Sequence, residues 1–243
     1  MKLTWITQSG YIIDHGGKRL VIDPYLSTTV EDMQGLTRLT PIPVSVSDLK
    51  PNYIYCTHNH LDHFDPHTML EVKELYPSCK IIGPSSVIAH ALKLGFDKAQ
   101  LINLNAGQSI DLDDFRFNAT PAFHSDPLST GLLLLVADQL LYLSGDTEET
   151  SRLLPLIQQM SGGRQIDLMF VCINGKLGNM NTQEAIAFSK ALQPKQVIPN
   201  HYGLFAENTI DPQYFIDGCR LAGLNYQLLQ PGITIDLQPS LQE

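Results

Sequence analysis

The stretch THNHLDHFD, residues 57–65, places three histidines and an aspartate within six consecutive positions. It follows PNYIYCT (51–57), a short apolar and aromatic run that predicts a buried strand. Asp65 and Pro66 at its end predict the first turn of a helix. We therefore expect the stretch to form the loop between a strand and a helix.

The residue types in this loop and their spacing are typical of two metal sites. Side chains two positions apart in extended backbone point the same way, so His58 and His60 can present ring nitrogens to one ion. Asp62 and His63 come after the chain turns and can serve a second ion. Imidazole and carboxylate suit borderline and hard divalent cations, and a catalytic site needs further ligands from distant segments.

Three later residues can supply those ligands, because each stands where a predicted strand gives way to a loop. His124 lies in PAFHSD, Asp146 lies in SGDT and His201 lies in PNHYG, each directly after an apolar or alternating run. Sheet-based enzymes gather their catalytic groups at such positions. We expect the three residues to complete the site with the 57–65 loop.

The pattern HxHxDH, followed by isolated His, Asp and His residues, resembles the metallo-β-lactamase superfamily over nearly the whole chain. The opening GYIID (10–14) and KRLVIDPYL (18–26) is similar to that superfamily's first hairpin, with Asp23 at the position of its structural aspartate. Within the superfamily, NGKLGNMNTQEA (174–185) and IPNHYGLFAENTIDPQYF (198–215) resemble the branch that contains L-ascorbate 6-phosphate lactonase.

This resemblance implies a dinuclear site for two divalent metal ions. Zinc and manganese both suit such ligands, and iron stays open. The implied ligands are His58, His60 and His124 for the first metal, Asp62, His63 and His201 for the second, and Asp146 as the bridge between them. The implied reaction is hydrolysis by a hydroxide that bridges the metals, with Asp62 and Asp146 as catalytic residues that fix its position and carry a proton to the leaving group.

Six further residues are predicted to lie beside the site and to contact substrate. They are Asn174, Lys176, Asn179, Met180, Tyr202 and Phe205. The loop 174–180 is equally typical of simple turn geometry, because Gly and Asn also serve turns. Lys176 is a candidate to meet a substrate phosphate, although an exposed lysine is usually only solvated surface.

The element pattern predicts more strands than helices, with several hairpins, so a purely parallel βαβ arrangement is disfavoured. Strands are predicted near 3–7, 11–14, 19–22, 53–56, 80–82, 100–102, 115–119, 131–136, 140–143, 167–172, 196–199 and 233–236. Helices are predicted near 66–76, 84–94, 148–160, 182–192 and 211–222, with Asn181 as an N-cap. Residues 27–51 are expected to form a long loop with one short helix. By resemblance, the fold is α/β (α+β), a four-layer αβ/βα sandwich of two mixed sheets flanked by helices.

Length and charge narrow the classes of function. A chain of 243 residues with 43% hydrophobic content predicts one globular domain over residues 1–243. The net charge of −9, with 16 scattered Lys and Arg residues, offers no basic field for nucleic acid. The opening residues lack the apolar core of a signal peptide, and GLLLLVADQLLYL (131–143) is interrupted by Asp138 and Gln139, so it predicts a hairpin rather than a membrane span. Four cysteines without CxxC spacing favour a reducing, cytoplasmic setting.

Several functions stay open at this stage. The leading hypothesis is a metal-dependent hydrolase of a small acidic or phosphorylated lactone, similar to L-ascorbate 6-phosphate lactonase and, like that branch, a homo-oligomer. Another cyclic ester or a phosphodiester is the nearest alternative substrate. A redox role like that of the flavodiiron proteins is disfavoured, because those proteins carry an acidic residue where this chain has His60. A non-catalytic module that retained its metals is the third hypothesis.

Overall fold

The computed structural model describes residues 1–237, and within them the strands form two sheets. The strands are β1 (Lys2–Trp5), β2 (Tyr11–His15), β3 (Lys18–Ile22), β4 (Tyr53–Tyr55), β5 (Lys80–Gly83), β6 (Leu101–Asn103), β7 (Ser109–Leu112), β8 (Phe115–Pro121), β9 (Thr130–Val136), β10 (Gln139–Leu143), β11 (Leu168–Cys172), β12 (Gln196–Asn200) and β13 (Thr234–Asp236). The first sheet has the order β13-β1-β2-β3-β4-β5-β6, and the second has the order β12-β11-β10-β9-β8-β7.

Both sheets are mixed. In the first sheet β1, β2, β3 and β13 pair antiparallel, whereas β3 to β6 run parallel. In the second sheet β7 to β10 pair antiparallel, whereas β10, β11 and β12 run parallel. The carboxyl ends of parallel neighbours meet at one edge of a sheet, so each sheet presents a row of strand ends there.

Helices cover the outer face of each sheet. They are α1 (Thr29–Gln34), α2 (Val46–Leu49), α3 (Pro66–Leu75), α4 (Ser85–Lys93), α5 (Leu153–Met160), α6 (Thr182–Leu192) and α7 (Gln213–Ala222). The second, third and fourth helices pack on the first sheet, and the last three pack on the second sheet. The first helix covers neither sheet, because its Val30 packs against Tyr25, Leu204 and Phe205.

The inner strands of the first sheet are apolar on both faces. Along β3, Leu20 and Ile22 join the core between the sheets, whereas Val21 packs against the helices outside. In β4 the same alternation sends Ile54 outward and Tyr55 inward. Successive side chains on a strand point to opposite faces, so a strand covered on both sides needs a continuous apolar run. The predicted arrangement of two mixed sheets flanked by helices is confirmed.

Most predicted elements are present, with three differences. Helix α5 begins at Leu153 rather than near residue 148. The strand β7 was not predicted, because it is a half-exposed edge strand without a continuous apolar run. Residues 27–51 contain two short helices, α1 and α2, instead of one.

The cap signals place the starts of their helices correctly, whereas the predicted hairpin turn is displaced by one residue. Ala137 and Asp138, both with positive φ, join β9 and β10 in a tight hairpin, and Gln139, predicted in the turn, begins β10. The side chain of Asp65 caps α3, and Asn181 forms a capping box with Glu184 at the start of α6.

Two further predictions concern the chain as a whole. Across residues 1–237 every helix is too short or too polar to cross a bilayer. The single domain over 1–243 stays a prediction, and its last six residues lie outside the described part.

Candidate metal centre

The candidate site is assembled from four loops that follow strands. The 57–65 loop follows β4, and His124, Asp146 and His201 follow β8, β10 and β12. Because β10 and β12 both run parallel to β11, their carboxyl ends lie at the same edge of the second sheet. The four loops therefore meet at one end of the sandwich.

Hydrogen bonds between the sheets hold the 57–65 loop in place. The Thr130 backbone N–H and hydroxyl both donate to the Thr57 carbonyl, each at 2.9 Å. In the loop after β8, the Asp126 carboxylate accepts from the Asn59 backbone N–H at 3.2 Å and from the Ser86 hydroxyl at 2.7 Å. The spacing between the loops is thus set by polar contacts outside the candidate ligands.

Three histidines form the first ligand group. His60 Nδ1 lies 3.0 Å from His58 Nε2 and 3.2 Å from His124 Nε2. Each of these nitrogen pairs can form at most one N–H···N hydrogen bond, and both pairs share His60 Nδ1. Hydrogen bonds among the three rings therefore satisfy these nitrogens poorly. Three imidazole nitrogens that face one point are a typical set of ligands for a divalent transition metal.

Asp62, His63 and His201 form the second group. Asp62 Oδ2 lies 3.6 Å from His63 Nε2 and 3.5 Å from His201 Nε2. Asp146 lies between the groups, with its carboxylate oxygens 3.4 Å from His63 Nε2, 3.0 Å from His201 Nε2 and 3.8 Å from His124 Nε2. The seven candidate ligands predicted from the sequence are brought together.

Other residues orient two of the histidines whose ring nitrogens face the carboxylates. The His63 Nδ1 lies 2.8 Å from the Asp23 carboxylate, which also accepts from the Thr57 backbone N–H and hydroxyl. The His124 Nδ1 lies 3.0 Å from the Gly178 carbonyl. In both rings this bond leaves Nε2 free to face the centre, as metal-binding histidines require. Asp23 therefore has the structural role expected from its position.

Burial and neighbouring charges shift the pKa values of the candidate ligands. Burial lowers the pKa of His58. Burial also acts on His201, but the carboxylates of Asp146 and Asp62 outweigh it and raise its pKa to about 9, and the pKa of His63 is raised well above its usual range in the same way. Burial would raise the pKa values of both carboxyl groups, but the neighbouring histidines lower them instead. The carboxylates of Asp62 and Asp146 thus favour the protonated forms of His63 and His201.

Sequence reasoning missed Gln8, which contacts the second ligand group. Its side-chain amide donates to Asp62 Oδ2 at 2.8 Å and lies 3.1 Å from His201 Nε2. The residue is fully buried in a left-handed backbone conformation, and its carbonyl accepts from the Trp5 indole. The position after β1 at a turn is the one signal that could have identified it.

The chemistry of the donor set fits metal ions. Each ligand group has its candidate ligand atoms within 4.8 Å of one another. Two of these atoms, His63 Nε2 and Asp146 Oδ1, are buried and have no hydrogen-bond partner within residues 1–237. A buried polar atom without a partner is costly, and coordination of a cation would satisfy both atoms.

A cavity of about 720 Å³ opens above the ligands. It is lined by Val30, Gln34, Leu36, His60, Asp62, Phe123, His124, Ser125, Asp146, Glu148, Leu177, Gly178, Asn179, His201 and Asn208. Its volume is within the range of sites for small molecules.

The six residues predicted to contact substrate have different environments. Asn179 lines the cavity and donates to Asp146 at 3.0 Å, and Asn174 lies behind it with bonds to Asn179 and Asn208. Neither Lys176 nor Met180 lines the cavity, because the Lys176 amine donates to the Glu207 carbonyl and the Met180 side chain is buried in the core.

The two predicted aromatic residues also lie outside the cavity wall. Tyr202 packs on Trp5, with ring centroids 5.2 Å apart, and Phe205 packs on Tyr25 at 5.6 Å. Their packing gives them a structural role, since both rings are almost fully buried.

Comparisons with known proteins agree with this geometry. A curated protein from Oenococcus oeni named UPF0173 metal-dependent hydrolase is 29% identical over 237 residues, which cover 89% of this chain and 92% of that protein. The structure of Igni18, described as a metallo hydrolase from Ignicoccus hospitalis, superimposes with a TM-score of 0.75 at 24% identity, over 98% of this chain and 99% of that one. An isothiocyanate hydrolase from Delia radicum gut bacteria superimposes with a TM-score of 0.77 at 18% identity, over 98% and 99% of the two chains.

The structural similarities establish the metallo-β-lactamase fold. The model of the family described as beta-lactamase superfamily domain matches residues 18–202, which is more than half of the chain. The match includes the 57–65 loop, His124, Asp146 and His201. The chain therefore belongs to the beta-lactamase superfamily.

Proposed function

We propose that this protein is a metal-dependent hydrolase that opens a small lactone or a related ester. The observation that carries the proposal is the convergence of seven His and Asp side chains beside a cavity that five of them line, with two buried ligand atoms left without a hydrogen bond. The relatives named as metal-dependent hydrolases support hydrolysis as the class of reaction.

Each candidate ligand has a defined part in this proposal. His58, His60 and His124 would hold one ion, and Asp62, His63 and His201 would hold a second, with Asp146 placed to contact both. When bound, zinc, manganese or iron ions would supply Lewis-acid activation of water and of the substrate's reacting oxygen. Asn179 and Gln8 hold the Asp146 and Asp62 carboxylates in position through hydrogen bonds of 3.0 and 2.8 Å.

The proton balance of the reaction involves the two aspartates. Water adds its oxygen to the acyl carbon, and the bond from that carbon to the ring oxygen breaks. One proton of water goes to the leaving alkoxide, and the other goes to solvent because the product is a carboxylate. We assign Asp62 and Asp146 to carry these protons, because both face the cavity and lie beside the candidate ligands.

We propose a narrower class of substrates than the resemblance to L-ascorbate 6-phosphate lactonase suggests. Lys176, the candidate phosphate anchor, donates to the Glu207 carbonyl, and no lysine or arginine of residues 1–237 lines the cavity. We therefore keep the lactone or ester and treat the phosphorylated form as a comparison substrate. A phosphodiester and a non-catalytic metal-binding module remain the alternatives that the experiment must separate.

The proposal also includes the cellular location of the protein and its oligomeric state. The four cysteines are all free and buried, which supports a reducing, cytoplasmic location. Assembly into homo-oligomers stays a prediction.

Metal reconstitution tests the function directly. Protein stripped with a chelator is assayed on γ-lactones, L-ascorbate 6-phosphate and a bis-aryl phosphodiester, before and after zinc or manganese is returned. We expect lactone hydrolysis that depends on metal and that His60→Gln abolishes. His67→Gln is the matched control, because His67 is an exposed histidine on α3 outside the site. Hydrolysis of the phosphodiester alone, or metal binding without hydrolysis of any substrate, would reject the lactonase proposal.

A further inference from the structure

The cavity above the ligands carries an unbalanced set of charges. Apart from the candidate ligands, which face the candidate metals, its charged lining residue is the carboxylate of Glu148. Within residues 1–237 no lysine or arginine lines it, and Arg152 lies over the Phe123 ring, 5.1 Å from the centroid. A phosphate or carboxylate on the distant part of a substrate would therefore find no cationic side chain to pair with.

Glu148 lies beside the candidate ligand His124. Its backbone N–H donates to the Phe123 carbonyl at 2.9 Å, which holds the residue against the loop that follows β8. A methyl group at Gly178 would lie 3.7 Å from Glu148 Oε1 and 3.0 Å from His124 Nδ1, so both groups border the same small space. The Glu148 side chain is exposed and forms no ion pair within the described residues, so its charge acts on whatever enters the cavity.

Apolar side chains form much of the remaining wall. Val30 and Leu36 come from the 27–51 segment, Phe123 precedes the ligand His124, and Leu177 comes from the 174–180 loop. The side chain of Leu177 is 71% exposed. Its φ of 53° is a strained backbone conformation for leucine, and this conformation presents an apolar side chain to solvent. A ligand with an apolar substituent would cover that side chain.

We propose that the cavity takes an uncharged ester or lactone with an apolar substituent, and that Glu148 is a specificity-determining residue that excludes substrates with a further negative charge. The inference rests on the proposed hydrolase function and names its substrate class. The net charge of −9 on the whole chain acts in the same direction, because it disfavours the approach of anions.

A pair of substrates that differ by one phosphate group tests the role of Glu148, and the charge variants and added salt isolate the contribution of charge. The pair is 5-(hydroxymethyl)-γ-butyrolactone and its phosphate monoester, assayed with the metal-loaded full chain. We expect a higher kcat/KM for the uncharged lactone, and we expect Glu148→Gln to improve the phosphate ester relative to it by about fivefold. Glu148→Lys should improve it by a further factor of similar size, and added salt should reduce both effects. Glu149→Gln is the control, because Glu149 is an exposed neighbour that does not line the cavity.

A second pair tests the apolar wall. γ-Octalactone carries an alkyl chain that γ-butyrolactone lacks. Leu177→Ser should lower kcat/KM for γ-octalactone relative to γ-butyrolactone by about fourfold for each methylene group that loses its contact. Leu221→Ser is the control, since Leu221 is 91% exposed on α7 and does not line the cavity.

Binding of non-reactive analogues separates this inference from the proposed function. The γ-lactam analogues of the first pair, uncharged and phosphorylated, are titrated into metal-loaded protein by calorimetry. Preferential binding of the uncharged lactam, weakened by Glu148→Lys, supports the inference even if no lactone is hydrolysed, in which case only the proposed function fails. Tighter binding of the phosphorylated lactam to the wild type, absence of binding by both lactams, or indifference to Glu148→Lys overturns the inference.

Discussion

The protonation of two single residues, His63 and His201, affects how readily a cation would bind at this site. His63 and His201 have raised pKa values because Asp62 and Asp146 lie beside them, and the pKa of His201 is about 9. Both rings must lose their protons before they can bind a metal. Their protonation therefore competes with the metal in the neutral pH range.

We expect metal binding at pH 7 to release protons. Metal affinity should rise with pH up to about 9, whereas a histidine with the ordinary value of 6.5 would stop contributing near neutrality. Calorimetric titrations in buffers with different ionisation enthalpies measure the number of protons released. Equal apparent enthalpies in all buffers at pH 7 would contradict the prediction.

The same shift predicts how the chelator-treated protein responds to pH. A raised pKa in the folded state gives stability that is fully present below the unfolded value of 6.5 and is lost as pH rises through about 9. We therefore expect the free energy of unfolding to fall between these limits. His201→Gln should flatten that fall in urea titrations, because the substituted side chain does not titrate.

Asp126 is expected to set the spacing of the three-histidine group. Its carboxylate joins the loop of His124 to Asn59, which stands between His58 and His60. Asp126→Ala should weaken metal binding about tenfold or more, as loss of groups that support ligands commonly does. Competition with a chromophoric chelator measures this affinity. Asp111→Ala is the control, because it removes an exposed carboxylate on β7, and equal affinities in the two variants would contradict the prediction.

The ligand residues were predictable from the sequence, but the residues around them were not. Four of the seven ligands share one short loop, and the other three directly follow recognisable strands. Glu148 carries no such signal and Gln8 only its position at a turn after β1, since both reach the site through the way that loops from different elements lie together. Their roles depend on tertiary structure rather than on local pattern.

At the scale of elements, capping and turn chemistry were reliable guides. The capping box at Asn181 begins α6 as predicted, and the predicted hairpin turn joins β9 and β10 one residue earlier than expected, at Ala137 and Asp138. The predicted start of helix α5 near residue 148 was wrong. The Glu148 backbone N–H donates to the Phe123 carbonyl, and the chain stays irregular until Leu153. A contact between distant segments thus prevailed over local helix propensity.

Removal of the Asn181 cap should destabilise the protein by about 1 kcal/mol. The Asn181 side chain accepts hydrogen bonds from the N–H groups of Gln183 and Glu184, and alanine cannot. Urea unfolding of Asn181→Ala measures the change. Gln183→Ala is the matched control within the first turn, and we expect it to be nearly neutral. An equal loss in both variants would show that the cap contributes nothing specific.

At the scale of the whole molecule, the core protects all four thiols. Burial raises the pKa of Cys56, and it raises the values of Cys79 and Cys172 to about 12 and that of Cys219 to about 11. Such thiols carry almost no thiolate near pH 8 and should not react with dithionitrobenzoate in the native protein.

We expect the four cysteines to become reactive together as the protein unfolds in guanidinium. Absorbance of the released thiolate measures the number of reacted groups. Ser47→Cys, at an exposed position, is a positive control that should react at once. Rapid labelling of any native cysteine in the wild type would contradict this view of the core.

The ligands and the walls of the cavity belong to different parts of the fold. The ligands follow the strands of two sheets, whereas Leu36 and Leu177 line the cavity from loops. Exposed loops tolerate sequence change far better than the strands they connect. Evolution can therefore exchange the groups that choose a substrate without disturbing the groups that would bind metal. Related proteins that inherit one metal centre can in this way act on unrelated substrates.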